Sequence, residues 1–210
     1  MSLEKRLPLS TRALDEIVAF RADGPVSLAQ LLAESADLAR RLPRQAYTVN
    51  LQTDRYRYLL GFCATLLSGG CTLMPADRLQ VTLSQLSTEY PGCHVLGENA
   101  PEFDGLQSNA RADAIPEIPA DQQAVIAFTS GNTGKPRPNI KYWETLLTGT
   151  ANNVDLLAVG APEDSSQPRV NFVATVPCQH MWGLETVILL PLLSRVAACH
   201  RSPFYPQDIA

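Results

Sequence analysis

The sequence lacks the features that mark several large classes of protein. It has no run approaching eighteen consecutive apolar residues, and its first ten residues contain no apolar signal core. The net charge is −4 and the pI is near 5.4. No basic stripe interleaved with aromatic residues is present, so the charge pattern is not that of a nucleic-acid-binding protein. These absences predict a cytoplasmic protein with no membrane span and no nucleic-acid partner.

Cysteine pairs at metal-ligand spacing are also missing. The five cysteines are scattered, no two form a Cys-x-x-Cys motif, and most lie among apolar residues. This distribution is typical of reduced thiols in a hydrophobic core rather than of disulfides or a zinc site, so no metal ligand is predicted. The cysteines are Cys63, Cys71, Cys93, Cys178 and Cys199.

The sequence does contain an alternation of helical and strand patterns, and its 210 residues with 45% hydrophobic content can bury a substantial core. Helices are predicted at residues 10–22, 28–42 with Ser27 as the cap, 54–68, 79–90 and 184–193. Strands are predicted at residues 47–51, 71–74, 93–96, 124–128, 170–176 and 196–199. The short period of this alternation predicts an α/β fold with largely parallel sheets flanked by helices. A polar, proline-rich segment at residues 99–120 is predicted to be an irregular surface linker.

The stretch from Ala124 to Asn153 changes character twice. It opens with an unbroken apolar run of strand length, which favours a strand buried on both faces of a parallel sheet. The next seven residues carry three hydroxyls, one amide, one ammonium and two glycines, a set that suits anion binding. Pro136 and Pro138 then disfavour helix, so the next helix is predicted to begin near Asn139.

A strand, a polar glycine loop and a helix in this order favour a phosphate site, although a plain turn can have the same composition. A Walker A loop does not fit, because two residues rather than four separate its glycines and Pro136 follows the lysine. A dinucleotide-binding Gly-x-Gly-x-x-Gly motif also fails for lack of its first glycine. The candidate phosphate-binding residues are Thr129, Ser130, Gly131, Asn132, Thr133, Gly134, Lys135 and Arg137.

The order of these residues resembles the phosphate loop of the adenylate-forming superfamily, which includes acyl-CoA synthetases and the adenylation domains of peptide synthetases. Its signature reads Ser/Thr-Ser-Gly-Ser/Thr-Thr-Gly-x-Pro-Lys. The chain departs from it at Asn132 and Arg137, where a donor and a positive charge are kept, and at Pro138, where the family generally has Gly. The resemblance implies that residues 129–137 hold the β- and γ-phosphates of ATP.

A second group, Pro177-Cys178-Gln179-His180-Met181-Trp182-Gly183, matches the family pattern Pro-x-x-His-x-x-Gly. An imidazole at the mouth of a parallel strand can donate to an anion or orient a carboxylate, whereas a core histidine is the structural alternative. The resemblance implies that His180 lies beside the carboxylate and the α-phosphate and acts in catalysis. It places Trp182 and Gly183 at the substrate pocket, with a core position as the alternative for Trp182. His94 and His200 lack this setting and are assigned structural or surface roles.

The resemblance extends over nearly the whole chain but covers less than half of a typical member, so residues 1–210 are interpreted as the N-terminal α/β portion of an incomplete AMP-binding domain. It implies an ATP-dependent acid–thiol ligase that uses ATP and Mg²⁺, activates a fatty or aryl carboxylic acid, and transfers it to CoA or to phosphopantetheine on an acyl carrier protein. The chain alone is expected to be inactive. Two alternatives remain, a non-catalytic phosphate-binding module that keeps the fold and a phosphotransferase or nucleotide hydrolase that uses the loop differently.

Overall fold

A computed structural model describes residues 4–107, 109–129, 137–161, 169–201, 203 and 207. Its strands are β1 (Arg6–Pro8), β2 (Ile17–Arg21), β3 (Gly24–Ser27), β4 (Tyr47–Asn50), β5 (Cys71–Met74), β6 (His94–Leu96), β7 (Glu117–Pro119), β8 (Gln123–Thr129), β9 (Arg137–Tyr142), β10 (Val170–Phe172) and β11 (Val196–Cys199). Its α-helices are α1 (Leu28–Arg41), α2 (Arg55–Leu67), α3 (Gln80–Glu89), α4 (Trp143–Leu157), α5 (Met181–Gly183) and α6 (Leu190–Leu193), with π-helix at Leu184–Leu189 and a 3₁₀ turn at Pro101–Phe103.

The larger sheet has five strands in the order β6-β4-β5-β8-β9, of which β9 alone is antiparallel to its neighbour. From β4 the chain crosses to β5 on one side, and it then returns past β4 to form β6 on the other side. Right-handed crossovers in opposite directions place their helices on opposite faces, so α2 and α3 cover different sides of this sheet. Its apolar residues accordingly divide, with Val49, Leu73 and Ile126 packed in one cluster and Val125 and Ala127 in the main core.

A second sheet has the order β10-β11-β2-β3, and a two-stranded sheet pairs β1 with β7. The main core includes buried residues of α1, α2 and the segment from 184 to 193. Ser27 caps α1 by accepting from the Gln30 backbone N–H, and Asp54 caps α2 by accepting from that of Arg57. The α/β class with largely parallel sheets flanked by helices is thereby confirmed, and most predicted elements fall within two residues of the observed ones.

The predicted helix at residues 10–22 is wrong. Ile17–Arg21 forms β2, which turns through Ala22 and Asp23 into the antiparallel strand β3. The turn pairs Arg21 with Gly24, whose φ of 134° is in the region that favours glycine. Apolar residues at 14, 17 and 18 satisfy a helical pattern over a short window, but the β-branched Ile17 and Val18 suit the strand better.

The helix predicted to begin near Asn139 begins instead at Trp143, because residues 137–142 form the edge strand β9 beside β8. An edge strand tolerates Pro138, whose missing N–H would break a helix or a central ladder. The strand predicted at 170–176 ends at Phe172. The segment at 99–120 is less irregular than expected, since it contains β7 and buries Phe103 and Ile118.

All five cysteines are free thiols, and three of them are buried. Burial raises the pKa of Cys63 to about 12 and that of Cys71 to about 12. A folded-state pKa above the unfolded value gives stability that is present below the unfolded pKa and is lost as pH rises toward the folded one.

We therefore expect the free energy of unfolding to fall as pH rises above about 9, by roughly 1 kcal/mol per pH unit for each such thiol. Urea unfolding at pH 8 to 11 measures this slope, and Cys63→Ala should make it shallower by about that amount. An identical slope in the variant would contradict the assignment. The cavity left by the substitution lowers the free energy of unfolding equally at every pH, so it does not change the slope.

Candidate functional site

The predicted phosphate segment begins and ends at the carboxyl end of β8. Thr129 is the last residue of β8 and is the register partner of Arg137, the first residue of β9. Arg137 is exposed at this edge. The predicted residues Ser130, Gly131, Asn132, Thr133, Gly134 and Lys135, and the side chain of Thr129, lie outside the described residues. Both ends of the segment are therefore fixed at the edge of the sheet that the carboxyl ends of its parallel strands form.

The Pro177–Gly183 segment forms a compact turn that leads into a helix. The backbone N–H of His180 donates to the carbonyl of Pro177 at 3.2 Å, and that of Leu184 donates to the carbonyl of His180 at 2.8 Å. Gly183 packs against the start of the turn so closely that a Cβ there would lie 2.0 Å from the Pro177 carbonyl oxygen. The glycine of this motif is thus required by backbone packing.

Buried and exposed residues alternate through this turn. The buried residues hold it in place, and the exposed ones face outward. Cys178 is 5% exposed and Gly183 is buried, whereas the His180 side chain is exposed. Trp182 is 49% exposed, so it does not fill the core formed by the described residues. A rigid turn with an exposed imidazole and an exposed indole can present both rings to a ligand.

Arg78 connects this turn to the carboxyl edge of the larger sheet. Its Nη2 donates to Oε1 of Gln179 at 3.0 Å, and its Nη1 donates to the carbonyl of Leu51 at 3.0 Å. Leu51 follows β4, Arg78 lies beyond β5, and β5 is the neighbour of β8. The turn that carries His180 and the segment that begins at Thr129 therefore share one edge of the sheet, where ligands bind in open α/β folds.

Cys178 is not arranged as a nucleophile, although it lies in the same turn. Burial raises its pKa to about 11, and the nearby Arg55 and Arg78 only partly oppose this effect. Burial likewise raises the pKa of Tyr58, for which the Cys178 charge adds to the effect. Neither group ionises readily near neutral pH, so neither is suited to act as a nucleophile at this turn.

The other two histidines each lie beside a carboxylate. His94 Nε2 lies 2.9 Å from a carboxylate oxygen of Glu102, and His200 Nδ1 lies 3.1 Å from one of Asp54. Across the part of the chain that the structure describes, no three His, Cys, Asp or Glu side chains gather as metal ligands. None of its helices there is long and apolar enough to cross a membrane.

Two arginines at this edge were not predicted from the sequence. Arg78 is described above, and the buried Arg55 donates to the carbonyls of Ala174 and Arg201 on the segment that precedes the turn and on the one beyond β11. Arg55 stands between Asp54 and Tyr56 in a charged stretch and gives no signal of such a role. Asp77-Arg78, shortly after a predicted strand, provides a weak one.

No protein-family model matches the chain. A curated relative, the AMB antimetabolite synthetase AmbB of Pseudomonas aeruginosa, is 32% identical over 152 residues, which is 60% of this chain and 12% of AmbB. The crystal structure of ATP-bound MatB from Rhodopseudomonas palustris superposes with a TM-score of 0.73 at 20% identity, over 93% of this chain and 44% of MatB.

O-succinylbenzoate coenzyme A synthetase (MenE) from Bacillus subtilis, solved in complex with the acyl-adenylate intermediate OSB-AMP, superposes with a TM-score of 0.73 at 18% identity. That match covers 98% of this chain and 58% of MenE, so the chain spans about half the length of these solved proteins. The resemblance stated from residues 129–137 and 177–183 is thereby confirmed for the fold. The chain has the fold of the N-terminal part of adenylate-forming enzymes.

Proposed function

We propose that this chain is part of an ATP-dependent ligase that activates a carboxylic acid as an acyl-adenylate and transfers it to a thiol. In the first step a carboxylate oxygen attacks the α-phosphorus of ATP, and the bond to the bridging oxygen of the β-phosphate breaks to release pyrophosphate. In the second step a thiolate of CoA or of carrier-bound phosphopantetheine attacks the acyl carbon and AMP leaves. The protein as a whole would be longer than this chain.

The observation that carries this proposal is the shared edge described above. Thr129 and Arg137 fix the phosphate segment beside β5, and Arg78 ties the His180 turn to the end of β4 one strand farther. Strands in a sheet are spaced by roughly 5 Å, so the phosphate segment and the His180 turn would both be within reach of a single nucleotide. A solved MenE structure contains ATP and a magnesium ion, which supports the same pair of ligands here.

The phosphate segment would act through hydrogen-bond donors and positive charge. The hydroxyls, the Asn132 amide and backbone N–H groups between Thr129 and Lys135 fit phosphate oxygens in chemistry. Lys135 and Arg137 add charge where the departing pyrophosphate becomes more negative. Mg²⁺ would neutralise further phosphate charge when bound with ATP.

His180 would hold the attacking carboxylate. Its ring is exposed while its backbone is fixed by the bonds to Pro177 and Leu184, so the imidazole can meet a ligand without rearrangement of the turn. An imidazole N–H that donates to a carboxylate orients the attacking oxygen. Trp182, two residues on, would border the acid, and aryl or medium-chain acids suit its indole face.

The test begins with the intact mass of the native gene product from its source cells, followed by exchange of radiolabelled pyrophosphate into ATP with benzoate, octanoate and a wider acid panel. Exchange that requires an acid supports the proposal. ATP binding by calorimetry without exchange for any acid would instead support the non-catalytic module. ATP turnover that does not depend on acid would support the hydrolase alternative. A native product that ends at Ala210 and shows no exchange would overturn the ligase assignment.

In the active form of the protein, His180→Ala is expected to lower acid-dependent exchange by about 100-fold, because it removes an orienting donor at the reacting group. The KM for the acid should rise, while ATP binding measured by calorimetry should change little. Arg40→Ala is the control, since this exposed side chain lies on α1 and pairs with Asp37 of the same helix. Unchanged exchange in His180→Ala would exclude the assigned role.

A further inference from the structure

We propose that Arg78 is a positioning residue that fixes the His180 turn against the larger sheet. The inference rests on the proposed function only for the role of His180. The mechanical role of Arg78 is independent of that reaction. Arg78 would act through Gln179, the residue directly before His180.

The geometry makes Arg78 a junction of three chain segments. One guanidinium nitrogen binds the Gln179 side chain and the other binds the Leu51 carbonyl, both at 3.0 Å. The nitrogen that binds Leu51 also lies 3.6 Å from a carboxylate oxygen of Glu98. The Leu51 carbonyl is backbone at the end of β4, so one side of the junction is rigid. The hydrogen bond from Arg78 therefore fixes the Gln179 amide relative to this backbone.

Burial supports this assignment. The Arg78 side chain is 33% exposed, although it belongs to a loop that follows a buried strand and precedes the exposed Leu79. A half-buried guanidinium holds two acceptors in a fixed fork, which a lysine ammonium cannot reproduce. Glu98, at 45% exposure, partly balances the Arg78 charge but adds little to the hold of Arg78 on the turn. Planar two-point binding, rather than charge alone, is therefore what Arg78 supplies.

Two other contacts hold the turn: Cys178 is buried in the main core, and Gly183 lies against Pro177. Gly183 packs on Pro177 and fixes the two ends of the turn against each other. That contact is internal to the turn and does not place it relative to the sheet. The bond from Arg78 to Gln179 does, across 101 residues of sequence. Loss of this bond should leave the turn folded but free to shift its exposed rings.

Trp182 provides a readout that does not depend on catalysis. The chain has two tryptophans; Trp143 is fully buried, whereas Trp182 is 49% exposed. Quenching of fluorescence by acrylamide therefore reports mainly on Trp182. The ring signals of His180 in a carbon–proton NMR spectrum give a second, local readout, assigned by their disappearance in His180→Ala.

In Arg78→Met, removal of one charge-assisted hydrogen bond should raise the population of displaced turn conformations about tenfold. We expect faster quenching of Trp182 and shifted His180 ring signals, with the melting temperature and circular dichroism nearly unchanged. Gln179→Met removes the same bond from the other side and should reproduce both changes. Arg78→Lys should restore neither fully, and Arg40→Met is the matched control for loss of a surface guanidinium.

Unchanged quenching and unchanged His180 signals in both Arg78→Met and Gln179→Met would overturn the proposal. If Arg78→Met alone fails to fold, the quenching and the His180 signals of Gln179→Met test the proposal. In the active form of the protein, Arg78→Met should lower kcat for acid-dependent exchange about tenfold with little change in ATP affinity, since small misplacement of an orienting group is costly. If no form exchanges pyrophosphate, the proposed function fails while the spectroscopic results still decide the role of Arg78.

Discussion

Gly183→Ala is expected to unfold or displace the turn that carries His180, and to destabilise the chain by roughly 3 kcal/mol. The added Cβ would lie 2.0 Å from the carbonyl oxygen of Pro177 and 2.8 Å from its carbonyl carbon. Both are backbone atoms in a turn whose next residue, Cys178, is buried. They cannot yield as the end of a flexible side chain would, so the helix start must move.

Gly149→Ala is the matched control for this substitution. Gly149 lies within α4, and a Cβ there meets nothing within 4 Å. Because alanine favours helix over glycine, this variant should be stabilised by about 0.5 to 1 kcal/mol. Urea unfolding of both variants measures the contrast. A Gly183→Ala protein as stable as the wild type, with unchanged quenching of Trp182, would show that the turn can adapt.

The motif could be recognised from the sequence, but the physical role of its glycine could not. The resemblance of Pro177-x-x-His180-x-x-Gly183 to the family pattern places Gly183 at the substrate pocket. The structure also shows close packing of Gly183 on Pro177, a contact between backbone atoms that composition and spacing do not encode. The assigned ligand contacts of His180 and of residues 129–137 remain predictions.

Local signals were sufficient for elements that have strong caps and a long apolar pattern. Ser27 and Asp54 mark the starts of α1 and α2, and Gly69-Gly70 follows the end of α2. The misassigned segments lacked this support. At residues 10–22 and 137–142 the outcome depends on strand partners, β3, β11 and β8, so tertiary pairing overrides a short helical pattern.

Interactions that span the chain could not be predicted at all. Arg78 meets Gln179 across 101 residues, and Arg12 meets the carbonyl of Val196 across 184. In sequence both arginines stand in polar surroundings and look like ordinary surface residues. Only the fold brings these acceptors within reach of each guanidinium, and the order of residues along the chain does not encode such long-range pairs.

Arg12→Met should destabilise the chain by about 3 to 5 kcal/mol. The Arg12 side chain is 1% exposed, and its Nε donates to Glu16 at 3.1 Å. Its two terminal nitrogens donate to the carbonyls of Ile17, Pro191 and Val196. These carbonyls belong to β2, α6 and β11, so one guanidinium joins the hairpin near the N-terminus to the helix that follows the His180 turn.

Methionine fills much of the same volume but satisfies none of these acceptors. Glu16, 7% exposed, would keep the more distant Arg169 and Arg195, at 3.8 and 3.9 Å. Urea unfolding should show the loss, and Arg12→Met combined with Glu16→Gln should recover part of it, because the buried carboxylate charge is then removed. Arg40→Met, which removes an exposed guanidinium, should change stability by less than about 1 kcal/mol. If Arg12→Met matched that control, Arg12 would not join these elements, and the position of the His180 helix would have to depend on apolar packing alone.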